Sequence, residues 1–171
     1  MDPPPEEQDH IDGFLSRIHL TYPALDLDVE GIVDRIGGIN RRIHRALDET
    51  LAEFGLDMGD YKVLNTLSQL GEPFRSTPGR LAKRMDLSSG AMTNRLDRME
   101  EAELIRRLPD PDDRRSVVVE MTDHGHRTIQ KAIGIQAQKE ALFAAALSPN
   151  EKEQLNGLLR KLMREFERRE K

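Results

Sequence analysis

The chain has 171 residues and no cysteine, so disulfides, thiolate metal sites, cysteine nucleophiles and cysteine redox sensing are all excluded. That length suits one domain, or one compact fold with a small elaboration. A formal charge of -5 argues against indiscriminate nucleic-acid binding, so any such contact must come from a locally basic surface.

Residues 1–9 are polar, acidic and proline-rich, and are expected to be a disordered tail. Their composition is the opposite of a secretory leader. The longest apolar run, Ala141 to Leu147, is far short of the roughly 20 residues that span a bilayer. The expectation is a cytoplasmic protein without membrane contact.

A short apolar-periodic stretch (Ile11, Phe14, Leu15, Ile18) ends at Tyr22-Pro23 and predicts a small extra helix. Asp28 is expected to cap a long helix with Val29, Ile32, Val33, Ile36, Ile39, Ile43, Leu47, Leu51 and Phe54 in one stripe, ending at Gly55. A further helix spans about Asp57 to Leu70 and stops at Gly71-Glu72-Pro73. Thr77-Pro78 then supplies an N-cap and a proline at the first helical position, opening a short helix with Leu81, Ala82 and Met85. It ends near Asp86-Leu87, and Ser88 caps the next helix, Ser89 to about Ala102. Two helices across a tight turn have the spacing of a helix-turn-helix.

On a helical wheel Met92, Leu96 and Met99 form a narrow inward stripe, while Gly90, Thr93, Asn94, Arg95, Asp97 and Arg98 occupy the outer arc. These polar side chains suit DNA: arginine pairs with guanine, asparagine with adenine, and threonine with a thymine methyl or a phosphate. Small Ser89, Gly90 and Ala91 let the helix N-terminus approach a phosphate closely. Ser88, Ser89, Gly90, Thr93, Asn94, Arg95 and Arg98 are therefore the candidate major-groove residues. Thr77 and Lys83, on the preceding helix, are the candidate DNA-backbone contacts.

Leu104 to Leu108 and Ser116 to Met121 predict two strands joined by Pro109-Asp110-Pro111-Asp112-Asp113-Arg114-Arg115, a hairpin with a charged tip. Acidic residues there would repel phosphates and need a structural task. Asp113 is expected to fix Arg115 pointing into a minor groove, with Arg114 nearer the phosphates. From Arg75 to Arg115 ten Lys/Arg stand against eight Asp/Glu, so net charge favours this segment only slightly.

Thr122 opens a helix carrying Ile129, Ile133, Ala137, Ala141, Ala144 and Leu147. Ser148-Pro149-Asn150-Glu151 is a capping box that starts a last helix with Leu155, Leu158, Leu159, Leu162 and Phe166. The terminal stripes could fold onto the chain's own middle, but together they exceed what it can cover, and a homodimer is the preferred reading. The expected division is a tail over 1–9, dimerisation helices over 10–56, a DNA-binding winged helix-turn-helix over 57–121 and further dimerisation helices over 122–171.

The run Leu87-Ser88-Ser89-Gly90-Ala91-Met92-Thr93-Asn94-Arg95-Leu96-Asp97-Arg98, followed by Asp110-Pro111-Asp112-Asp113-Arg114-Arg115 and Met121-Thr122, resembles the MarR family of multiple antibiotic resistance regulators. The resemblance covers about 29–166 and implies a mainly α fold with a small β-hairpin wing, assembled as a triangular homodimer with entwined terminal helices. It further implies a regulator, more often a repressor than an activator, on a palindromic double-stranded operator, with binding weakened by small aromatic or phenolic ligands. The family's recognition-helix contacts carry over onto Ser88, Ser89, Thr93, Asn94 and Arg95, and its wing arginine onto Arg115. The extra N-terminal helix is similar to the family's urate-responsive branch, whose ligand site holds a tryptophan that this chain lacks.

Catalytic chemistry finds no support: there is no nucleophile elbow, P-loop or dinucleotide fingerprint. His124-Gly125-His126 places its imidazoles on different sides of a helix, without the further ligands a metal requires. No enzyme, cofactor or metal is expected, and the sequence names no effector. A winged-helix protein-interaction module is the rival reading, but it would favour apolar anchors on the outer arc, where this chain has polar, base-competent groups.

Overall fold

The structure is a computed structural model that describes residues 8–110 and 116–170. It divides into two compact units, residues 1–47 and 48–171.

In the first unit, α1 (His10–Thr21) is closed by a capping box: the Asp9 carboxylate accepts from the first turn and Asp12 returns a bond to the Asp9 amide. Ile11 and Leu15 are its buried face. The long α2 (Leu27–Ala52) starts here, but not under the expected cap. Asp26 accepts from the Asp28 and Val29 amides at 3.0 and 3.2 Å. Asp28 instead lies inside the first turn, where its charge complements the helix dipole. Arg35 of α2 reaches back to Asp9 and Asp12 at 3.0 and 2.7 Å, tying the two helices.

In the second unit α2 ends in a left-handed C-cap. Gly55 has φ +66°, and the Leu56 amide donates to the Leu51 carbonyl at 3.0 Å, the bonding of a Schellman motif. Next come α3 (Met58–Gln69), β1 (Arg75–Ser76), α4 (Pro78–Arg84), α5 (Ser89–Glu101), β2 (Ile105–Pro109) and β3 (Val117–Met121). Then follow α6 (Asp123–Ala144) and α7 (Pro149–Arg169). The strands form an antiparallel sheet in the order β1-β3-β2, with Ile105 opposite Met121 and Pro109 opposite Val117. The strand β1 pairs Arg75 with Glu120. Being two residues long, it has no period by which the sequence could announce it.

The core lies where α3, α4, α5, the sheet and α6 meet: Leu64, Leu67, Leu81, Met92, Leu96, Met99, Ile105, Val119 and Ile129 are all buried. The stripe expected to face inward on α5 does so. At the start of α6 the backbones come so close that a Cβ on Gly125 would lie 2.1 Å from the Leu104 carbonyl oxygen. The Thr122 hydroxyl donates to the Glu103 carbonyl at 2.6 Å beside it. Helix α6 stops at Ala144 rather than Leu147, because the chain must turn to the extended geometry in which Ser148 caps α7.

A helix pair across a tight turn, followed by a hairpin whose strands are completed by β1, is a winged helix-turn-helix. It is mainly α with a small sheet, as the sequence led us to expect.

Candidate nucleic-acid interface

Helix α4 begins where the Thr77 hydroxyl accepts from the Arg80 amide at 3.3 Å, with Pro78 in the first turn. Thr77 is half-buried by this role and Lys83 is exposed. Met85 and Asp86 make the turn, with the Leu87 amide donating to the Ala82 carbonyl at 2.9 Å. The Ser88 hydroxyl then accepts from the Ala91 amide at 3.2 Å and starts α5.

Ser88, Ser89, Gly90, Thr93 and Asn94 are all exposed on the first two turns of α5. The Thr93 hydroxyl donates to the Ser89 carbonyl at 2.9 Å, which fixes its rotamer and leaves its oxygen lone pairs and methyl outward. A Cβ on Gly90 would meet nothing within 4 Å, so that position is open to an approaching backbone. This half of the helix offers hydroxyl, amide and free N–H groups without a competing carboxylate.

Arg95 is a correction to the wheel. Its guanidinium does not stand free on the outer arc but folds onto the first turn of α3, where Nη1 donates to Asp57 and to Asp60, the latter at 2.6 Å. The wheel fixes the direction of a Cβ, whereas an arginine stem can carry its charge to a neighbouring element. Both carboxylates are already in use: Asp57 accepts the Asp60 amide at 2.8 Å and Asp60 the Asp57 amide at 3.1 Å, the capping box of α3. Burial alone would raise the Asp57 carboxyl, but the Asp60 amide and Arg95 outweigh it and hold it below its ordinary value. Arg98 makes a longer contact with Asp57, 3.4 Å, and its side chain stays 61% exposed against 20% for Arg95.

A second set of charges joins α5 to the hairpin. Arg107 of β2 contacts Asp97 at 2.7 Å and Glu100 at 2.6 Å, and its amide donates to Glu100 at 2.8 Å. At the root of the hairpin Glu120 is buried between Arg75 and Arg106, with Arg106 Nε at 2.7 Å. Desolvation would raise its carboxyl, but the two guanidiniums hold it below the usual range. None of Asp57, Gly59, Asp60, Arg107 or Glu120 stands out in the sequence as functional. The Asp57-x-x-Asp60 spacing is itself a capping pattern, yet nothing local to it names an arginine partner.

The proposed wing residues Asp113, Arg114 and Arg115 lie outside the described residues. Among the described residues no group of three His, Asp or Glu could hold a metal ion, and no helix is long and apolar enough to cross a membrane. The ring of His126 stacks on Phe74 at 4.8 Å.

Comparison with known proteins adds to this geometry. The sequence model of the MarR family matches residues 56–117. The HTH-type transcriptional regulator PecS of Dickeya dadantii (strain 3937) is 31% identical over 137 residues, 80% of this chain and 82% of that protein. Multiple antibiotic resistance protein MarR of Salmonella typhimurium is 33% identical over 51% of this chain and 58% of its own. Among solved structures, the YusO protein of Bacillus subtilis superposes with a TM-score of 0.72 at 23% identity, over 82% of this chain and 98% of that one. A mutant MarR from E. coli complexed with operator DNA superposes with a TM-score of 0.59 at 26% identity, over 79% and 95%.

Proposed function

The chain belongs to the MarR family, whose named relatives are transcriptional regulators, and from that premise we propose that it is a homodimeric repressor of a palindromic operator. A DNA-binding regulator is what the family supports; dimer, palindrome and repression are our reading. The observation that carries it is the first half of α5, where Ser88, Ser89, Gly90, Thr93 and Asn94 stand exposed on a helix anchored from behind by Met92, Leu96 and Met99. That surface suits base edges and phosphates, with Arg98 at its flank and Thr77 and Lys83 toward the backbone. The wing residues Asp113, Arg114 and Arg115 would serve the flanking minor groove. A mutant MarR from E. coli, of the same fold, has been solved complexed with operator DNA, which supports DNA as the partner.

Two copies would present their α5 helices about 34–36 Å apart, so the operator should be a two-fold repeat with half-sites one helical turn apart. Release by a small aromatic or phenolic ligand is part of the proposal. It requires that ligand to bind the DNA-incompetent state more tightly than the competent one. The test is selection of bound duplexes from fragmented genomic DNA by the purified chain. Recovery of a palindromic sequence is the expected result, and enrichment of no sequence would reject the reading. A panel of aromatic carboxylates and phenols that shifts neither operator affinity nor melting temperature would reject ligand release.

A further inference from the structure

We propose that Arg95 is a positioning residue rather than a base reader, and that Gly59 is the seat through which it fixes the angle of α5 on DNA. This rests on the DNA-binding reading above and concerns the setting of that same helix.

Gly59 lies inside the first turn of α3, where its backbone is right-handed and needs no glycine. What the position needs is space. A Cβ there would lie 2.1 Å from Arg95 Cζ, 2.3 Å from Nη2 and 2.4 Å from Nη1, so the guanidinium lies flat where any side chain would begin. From this seat it reaches Asp57 and Asp60, the two carboxylates that also cap α3. To meet a base, Arg95 would have to give up both carboxylates, including its 2.6 Å bond to the largely buried Asp60. Arg98 shares these carboxylates only at longer range, 3.4 Å from Asp57 and 3.8 Å from Asp60, and with its side chain 61% exposed it is the freer of the two to turn to DNA.

The consequence is mechanical. Met92, Leu96 and Met99 hold one side of α5 through close apolar packing, and Arg107 ties its Asp97 and Glu100 to the hairpin. Arg95 adds a charged, directional bond on another side and so sets the helix's roll. The nearest atoms a methyl on Gly59 would meet are the movable end of the Arg95 side chain, so Gly59→Ala should keep the fold while displacing the guanidinium.

The experiment uses the full chain and a random-sequence duplex library, reading affinity and base preference at every position for the parent, Gly59→Ala, Arg95→Ala, Arg95→Lys and the Gly59→Ala/Arg95→Ala double variant. Gly59→Ala and Arg95→Ala are each expected to weaken the selected duplex by about tenfold with base preferences unchanged. The double variant should be no weaker than the worse single, and Arg95→Lys should recover part of the loss. Nitrogen NMR gives a readout independent of DNA: the Arg95 Nη–H protons should exchange slowly in the parent and be averaged in Gly59→Ala. Parent-like affinity in Gly59→Ala, or loss of preference at one base pair in Arg95→Ala, would overturn the proposal. So would identical Arg95 signals in parent and Gly59→Ala. If the parent selects no sequence at all, the DNA reading fails, and the NMR comparison still decides whether Gly59 seats the Arg95 guanidinium.

Discussion

Asn94 stands exposed on the second turn of α5, and its amide can meet adenine with two hydrogen bonds. Asn94→Ala is therefore expected to cost about 1–3 kcal/mol on the selected operator and to relax preference at one base pair per half-site, read by titration against single-substituted duplexes. Arg115→Ala should weaken binding and reduce its salt dependence with less effect on base choice, since a minor groove distinguishes bases poorly. Single residues were unevenly legible. The buried stripe of Met92, Leu96 and Met99 follows from helical period alone, because burial depends on where a Cβ points. The orientation of Arg95 does not, because its partners lie 35 and 38 residues earlier and only the tertiary fold brings them within reach.

At the level of elements, the hairpin is held at its root by Glu120 between Arg75 and Arg106. Its depressed carboxyl contributes stability that is complete above the ordinary glutamate value, about 4.3, and is lost as pH falls from there through the lower folded value. Glu120→Gln should cost about 1–3 kcal/mol in urea unfolding at pH 7, and parent and variant should converge only as the pH falls through the parent's depressed carboxyl value. Gly125→Ala tests a different joint. Its methyl would meet the Leu104 carbonyl, a backbone atom that cannot swing aside, so a loss of about 1–3 kcal/mol is expected by the same measurement. Helices with caps and stripes were readable because their signals are local. The strand β1 was not, since two residues have meaning only opposite Val119 and Glu120.

Across the whole molecule the apolar surface exceeds what one chain buries. Helix α7 has no buried residue, and Leu155, Leu158, Leu159, Leu162, Met163 and Phe166 are exposed along it, as are Val29, Ile32, Val33 and Ile36 of α2. Faces of this kind on a charged chain point to an interface, and the homodimer proposed above would place a second copy on it. Light scattering should give a dimer at micromolar concentration, and Leu158→Asp with Leu162→Asp should give a monomer whose operator affinity falls with the loss of the second half-site. The stripes were legible as unsatisfied surface; what covers them was not, because a sequence carries no coordinates for its partner. The joint at Gly125 takes on another meaning at this scale. Helix α6 has 22 residues and so extends about 33 Å from a first turn pressed against Leu104 and pinned by Thr122. Such a rod is a lever with its fulcrum at the hairpin's root: a tilt of about 5° there displaces the far end by about 3 Å over that length. The closeness that only a glycine permits would thus gear small rotations of the DNA-binding lobe to larger travel at the distant end of α6.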